Sequence, residues 1–259
     1  MRRDPKIKAE LRERVRQRKA ANDKVNELVT LLRKDTHGKV DHKNLNNSMR
    51  LLFENVNSLG VFASGKAKEK KVRQMRHLLK EYVVDVAAFV KTQVDWRQVA
   101  SEDSKFKNLF GNGLDKRCIA ANNTTGTKFL TDRNQRGGTA MMTLGRMSAN
   151  VKGVGADGTC LGRFCWTKVG GSGKMTYIVT LYMPNNREHS KTKDLTVWDQ
   201  HKTSYEVEGL VDKEPRQALF NDVVKNVLEW KLEDFEVVLA GDFNQDNYRD
   251  SFAEQLIPF

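Results

Sequence analysis

The sequence predicts an α/β protein, with mixed sheets packed together and helices outside. Two observations carry that expectation. Residues 83–90 form a continuous apolar run broken only by Asp85, with the length and β-branched content of a strand buried on both faces. Strand-rich segments also flank segments of helical periodicity, the pattern of sheets covered by helices.

The elements follow in chain order. Residues 5–34 read as helical, since Pro5 suits a first helical turn and no Gly intervenes before Gly38. Arg and Lys dominate residues 2–19, where Ile7, Leu11 and Val15 make one thin apolar stripe. Val25, Leu28, Val29, Leu31 and Leu32 continue the apolar side. Residues 36–47 are polar and suit a linker, so the chain is read as a basic helical extension with linker over 1–47 and a folded domain over 48–259. A strand is expected at 49–55. A helix over 66–82 follows, with Val72, Met75, Leu78, Leu79 and Tyr82 as its buried stripe and seven Lys or Arg on the rest. The strand over 83–90 leads into Lys91-Thr92-Gln93. Residues 101–136 are loop-rich, with one short strand candidate at 117–121. Further strands are expected at 138–144, 161–169, 175–184 and 236–243, the Gly170-Gly171-Ser172-Gly173 run being a hairpin connection. A helix over 215–230 starts with Pro and places Leu219, Val223, Val224, Val227 and Leu228 on one face. The segment 190–216 reads as a loop leading into it, with His189 and His201 as solvated loop histidines.

Composition narrows the partners. The chain has 259 residues, a net charge of +12 and a pI near 9.6, which favours a polyanion, nucleic acid first and an anionic membrane surface second. The charge is uneven: residues 1–50 hold 15 Lys and Arg against 7 Asp and Glu, leaving only +4 for the other 209 residues. Arg12, Arg14, Arg16, Arg18 and Lys19 are therefore candidate nucleic-acid contacts through counterion release; a solvated helix that packs weakly or pairs with another chain is the competing reading. No apolar run reaches 18 residues and no apolar leader opens the chain, so neither membrane insertion nor secretion is expected, and the location is read as nucleus or cytoplasm. Cys118, Cys160 and Cys165 lack metal-ligand spacing and read as free thiols.

The chemistry gathers at strand ends. Asp242 and Asn244 stand two residues apart where an apolar strand stops, so alternation would point both the same way, able to hold a metal, a water or a phosphate oxygen. Asn55 and Asn57, the Lys91-Thr92-Gln93 segment, and Tyr182-Met183-Pro184-Asn185-Asn186 leave their strands in the same manner. A lone Asn after a strand is most often turn chemistry; the ordered set of four is more specific.

That order resembles the endonuclease/exonuclease/phosphatase superfamily, over about residues 49–259. Asn55 matches its first motif, Gly137-Gly138-Thr139-Ala140 its central strand start, Tyr182 its phosphate-contacting Tyr motif, and Gly241-Asp242-Phe243-Asn244 its most specific motif. The resemblance implies a four-layer α/β sandwich of two packed mixed sheets and divalent-metal phosphodiester hydrolysis with Mg²⁺ or Mn²⁺. Asp242 would orient or deprotonate water and take the metal together with Asn57. Asn244 and Asn55 would hold phosphate oxygens, orient Asp242 or contact metal-bound water, and Tyr182 would donate to the phosphate. Asn185 would contact nucleic acid. Two departures stand out: Lys91 occupies the place of the metal-binding Glu, and no His follows the Asp242 strand, so the domain is read as incomplete at its C-terminus. The segment 190–216, with its Pro215-Arg216-Gln217 helix start, is similar to retrotransposon-type members, which implies a DNA substrate and a reverse transcriptase in the same element as a partner. Trp96, Trp166 and Trp198 could stack on bases or serve as core anchors. Three other readings compete with a DNA endonuclease: a catalytically decayed nucleic-acid-binding remnant, a lipid or inositol phosphatase of the same superfamily, and chance turns in an unrelated α/β fold.

Overall fold

The computed structural model describes residues 49–59, 66–94, 116–121, 136–170, 174–185, 196–233 and 235–244. The chain divides into two units, Met1–Asn46 and Asn47–Phe259, and every described residue lies in the second. The basic segment with Arg12, Arg14, Arg16, Arg18 and Lys19 lies outside the described residues, as do Trp96 and His189.

Among the described residues, eight strands form two four-stranded sheets. The first runs in the spatial order β1 (Leu51–Asn55), β2 (Val86–Val90), β4 (Thr139–Leu144), β3 (Lys116–Ala121). The second runs β5 (Val151–Ala156), β6 (Phe164–Gly170), β7 (Met175–Tyr182), β8 (Glu236–Asp242). Each sheet is mixed. β1 pairs β2 in parallel, from Leu51 opposite Val86 to Asn55 opposite Val90. β7 pairs β8 in parallel and ends with Tyr182 opposite Asp242. The remaining pairs are antiparallel, including the β6–β7 hairpin that the glycine run announces. Parallel neighbours need a crossover. Helix α1 (Lys66–Glu81) supplies the first; the short α2 (Arg146–Ala149) follows β4, and α3 (Val197–Val207) with α4 (Pro215–Leu232) supplies the second crossover. No described helix is long and apolar enough to cross a membrane.

The pleat of the central strands builds the layers. β2 is buried at all five positions. Its Val86 and Ala88 pack with Met141, Cys165, Val169 and Ile178 between the sheets. Its Ala87 and Phe89 face the other way, against Met75 and Leu79 of α1. Across the molecule Tyr177, Val179 and Leu181 of β7 pack on Leu219, Val223, Val227 and Trp230 of α4. The order helix, sheet, sheet, helix is the expected four-layer sandwich. Removing a side chain such as Phe89 from water contributes roughly 2–3 kcal/mol.

Several elements depart from the sequence reading. The strand expected over 83–90 begins at Val86. α1 closes in a turn with Val83 in the left-handed region (φ 47) and Val84 N–H donating to Leu79 O at 3.1 Å. Asp85, the one break in the apolar run, accepts from Arg50 N–H at 2.7 Å and so fixes where β1 and β2 begin to pair. β5 was missing from the expectations because Gly153 and Gly155 dilute its strand signal. A β carbon at Gly155 would overlap the Trp166 indole, so glycine is what lets that ring lie on the strand. The segment 190–216 is not a loop throughout: α3 occupies Val197–Val207 and opens with a capping box of Thr196 and Asp199. Its buried face carries Trp198, Gln200, His201, Ser204 and Tyr205, mostly polar types that hide the apolar periodicity. His201 is therefore a buried helix residue and not a solvated one.

Candidate functional site

The two parallel pairs bring the carboxyl ends of β1, β2, β7 and β8 to one end of the sandwich, where ligands commonly sit in α/β proteins. Asp242 is the hub. Asn55 Nδ2 donates to its Oδ2 at 2.7 Å, across 187 positions of sequence. Lys91 Nζ lies 3.5 Å from the same oxygen. Asn244 N–H donates to Oδ1 at 3.2 Å. Tyr182 is the residue paired with Asp242 in the sheet, and Lys91 Nζ stands 5.2 Å from the centroid of its ring. Burial, then the Asp242 charge, pushes the Tyr182 phenol up to about 12, a hydrogen bond with Asn244 offsetting part of this. The phenol is thus a proton donor at neutral pH.

Turns, not the pleat alone, aim these groups. Asn244 lies past the end of β8 at φ 45, and its Nδ2 donates to Met183 O at 2.6 Å. Asn57, Ser58, Lys91 and Gln93 also have positive φ, at 39, 79, 53 and 51. Such backbone in non-glycine residues is costly and gathers at functional sites. Two cations brace it. Lys71 of α1 donates to the carbonyls of Val56, Asn57 and Ser58. Arg216 at the start of α4 donates to Pro184 O at 3.2 Å, Asn244 O at 3.0 Å and Phe243 O at 3.3 Å, joining the Tyr182 and Asp242 strand ends. Sequence reasoning missed the bracing role of Lys71, one of several basic residues on its helix. The Pro215-Arg216 helix start was visible, but its carbonyl partners exist only in the fold.

Not every expected residue joins the hub. Asn57 Oδ1 accepts from Gln93 Nε2 at 3.5 Å, and its N–H donates to Asn55 Oδ1 at 3.3 Å, so its link to Asp242 runs through Asn55. Asn185 is exposed directly after buried Pro184. Trp198 is buried, and Trp166 packs edge-on against Tyr177 and Trp230, so both serve the core.

Does this donor set fit a divalent cation? Mg²⁺ asks for one or two carboxylates plus water. Among the described residues Asp242 is the one carboxylate in these contacts, and no group of three or more His, Cys, Asp or Glu could hold a metal. A charged Lys cannot ligate, and an ammonium about 4 Å away opposes a divalent ion by several kcal/mol even at an effective dielectric of about 20. The residues described do not fit the ion.

A second polar cluster lies apart from the hub. Arg163 is fully buried, forks onto Asp157 at 2.6 and 2.8 Å, reaches Asp222 at 2.6 Å and donates to the Tyr205 hydroxyl at 3.2 Å. Asp157 also accepts from Thr159 N–H and its hydroxyl. The Arg163 side chain and its Thr159 contacts hold the Asp157 carboxyl below its ordinary value despite burial. Burial, then Arg163, pushes nearby His201 down to about 3, while its Nε2 faces Leu161 O at 3.3 Å. Burial pushes Tyr205 up to about 12. A depression of about 250 Å³ opens beside Arg163, and no residue of the Asp242 hub lines it. The cluster ties β6 to α3 and α4 and is read as structural.

No family model and no curated protein sequence matches the chain. Solved structures do resemble it. The human Nocturnin catalytic domain, with bound sulfate anion, is 13% identical over 80% of this chain and 68% of its own, with a TM-score of 0.47. TDP2 from Caenorhabditis elegans is 14% identical over 85% and 55%, with a TM-score of 0.47. The 3′ phosphatase NExo from Neisseria, bound to product DNA hairpin, is 17% identical over 76% and 58%, with a TM-score of 0.44. The chain thus spans 58% of the Neisseria protein's length.

Proposed function

We propose that the chain is a nucleic-acid phosphodiester-recognition domain of the endonuclease/exonuclease/phosphatase superfamily, with the DNA backbone as its ligand. One observation carries the reading: Asn55, Lys91, Tyr182 and Asn244 converge on Asp242 at the shared end of both sheets. Together they offer amide, ammonium and phenol donors around a single carboxylate, the set suited to the oxygens of a phosphate. The excess positive charge of residues 1–50 supports a polyanionic ligand.

The second reading is a DNA endonuclease of a retrotransposon-like element, with a reverse transcriptase as its partner. The specific observation in its favour is the Asp242 carboxylate, held by Asn55 and the Asn244 N–H in a pose that could orient a water. The Lys91–Asp242 pairing weighs toward binding without metal-assisted turnover. A plasmid-nicking assay with Mg²⁺, beside a DNA-binding titration, separates the two. Recognition predicts binding with no nicking. Nicking by the unaltered chain that vanishes in Asp242→Asn establishes the endonuclease, and absence of binding under all conditions sinks both.

A further inference from the structure

We infer that the Lys91 ammonium takes the place of a divalent cation at Asp242 and makes this cluster of strand ends a metal-independent site for a backbone phosphate. The inference rests on the phosphodiester reading of the same site. Lys91 reaches the carboxylate from a backbone tied on both sides. Its carbonyl accepts from Ser58 N–H at 2.8 Å, and the next two residues donate to Gly138 O at 3.2 Å and Gly137 O at 2.9 Å. Held at φ 53, the residue aims Nζ at Asp242 Oδ2, 3.5 Å away, instead of letting the chain trail in water. The side chain keeps 28% of its surface exposed and Asp242 keeps 20%, so the pair is sheltered yet reachable.

This is a different chemistry from decay. A lost ligand leaves a carboxylate with nothing to neutralise it; here the missing cation is supplied by the chain. An ammonium has three donors, so one can stay on Asp242 while the others turn to a phosphate oxygen. Tyr182, its ring centroid 5.2 Å from Nζ, and the Asn55 amide add neutral donors. Lys binds phosphate as a compact point charge, with no demand for the octahedral shell that Mg²⁺ imposes. The ligand class is a phosphodiester of a polynucleotide; inorganic phosphate shares the oxyanion chemistry and is a separate arm of the test.

The experiment uses the full chain. Mn²⁺ is titrated while thermal unfolding and the Mn²⁺ electron paramagnetic resonance signal are followed, for the unaltered chain, Lys91→Glu, and Lys91→Glu with Asp242→Asn. The expected result is no metal-induced rise in Tm for the unaltered chain, a rise with Mn²⁺ uptake in Lys91→Glu, and its loss in the double variant. A DNA tetranucleotide, short enough to probe this site, is then titrated in EDTA and in Mg²⁺. Its Kd should agree within about twofold between the two conditions, weaken about tenfold or more in Lys91→Met, and be retained in Lys91→Arg. Mn²⁺ binding by the unaltered chain that disappears in Asp242→Asn overturns the inference, as does tetranucleotide binding that needs Mg²⁺. Failure of Lys91→Glu to gain Mn²⁺ removes Lys91 as the cause of metal exclusion. Displacement of the tetranucleotide by inorganic phosphate at equal concentration overturns the polynucleotide assignment. If the Mn²⁺ arm behaves as expected but no tetranucleotide binds in either condition, the phosphodiester reading fails while the cation replacement stands.

Discussion

A phenol buried beside a carboxylate has little freedom to ionise. Tyr182 is 5% exposed and shares its sheet position with Asp242, which is why its proton is held to about pH 12. The unfolded chain would lose that proton near pH 10. The stability contributed is therefore complete below about pH 10 and lost as pH rises through about pH 12; a two-unit shift corresponds to about 3 kcal/mol. Ultraviolet titration should find a tyrosinate transition near pH 12 that is smaller in Tyr182→Phe; an unchanged curve would show that this phenol ionises normally. At this scale the sequence was partly legible. Asp242, Asn55, Tyr182 and Asn244 could be picked out because each stands in a short motif and the motifs come in order. Asn57, expected beside Asp242 from the resemblance, stands in a left-handed turn with its Oδ1 toward Gln93. Lys71 and Arg216 act on main-chain carbonyls brought near only by folding, so no local pattern marks their roles.

Helix α3 shows what a polar buried face costs in legibility and in acid tolerance. His201 is 1% exposed, and its Nδ1 has no hydrogen-bond partner. With its folded value near 3 against an ordinary 6.5, the unfolded chain takes up a proton that the folded chain refuses. The associated stability is present above about pH 6.5 and declines as pH falls toward 3. His201→Gln should flatten the dependence of Tm on pH between about pH 6 and pH 4, while an equal slope in both proteins would assign the acid sensitivity elsewhere. Arg163 supplies the matching prediction for the elements it joins. Arg163→Met leaves Asp157 buried without its fork and should destabilise by roughly 3–5 kcal/mol in urea unfolding. A loss under about 1 kcal/mol would mean the pair is replaceable by packing. Strands β2, β4, β7 and β8 were readable because each is rich in consecutive apolar residues. β5 and α3 were not, since glycines and polar core residues erase the periodicity on which such reading depends.

At the scale of the whole molecule, core-forming residues and excess charge concentrate in different stretches of the chain. The four layers follow from the sequence because β2 and β7 are apolar on both faces, one for the other sheet and one for a helix. The electrostatic excess lies mainly in residues 1–50. If that segment grips phosphates, deleting residues 1–34 should make the slope of log K against log salt shallower for long DNA, by about 0.9 for each duplex phosphate the arm no longer neutralises. An unaltered slope would remove the arm from the interface. A Lys at the Glu position already argues from the sequence for a positive charge where a cation would sit, but the partner of its ammonium is defined only once the β2 end is folded. That placement reaches beyond ligand choice. Asn55 and Lys91 belong to one sheet and Asp242 to the other, so a single carboxylate rivets the two halves of the sandwich at their open mouth. A bound phosphate that shares the ammonium with Asp242 loads that rivet while adding a new bridge of its own. Occupancy of the site would thus be felt as a change in how tightly the two sheets clasp.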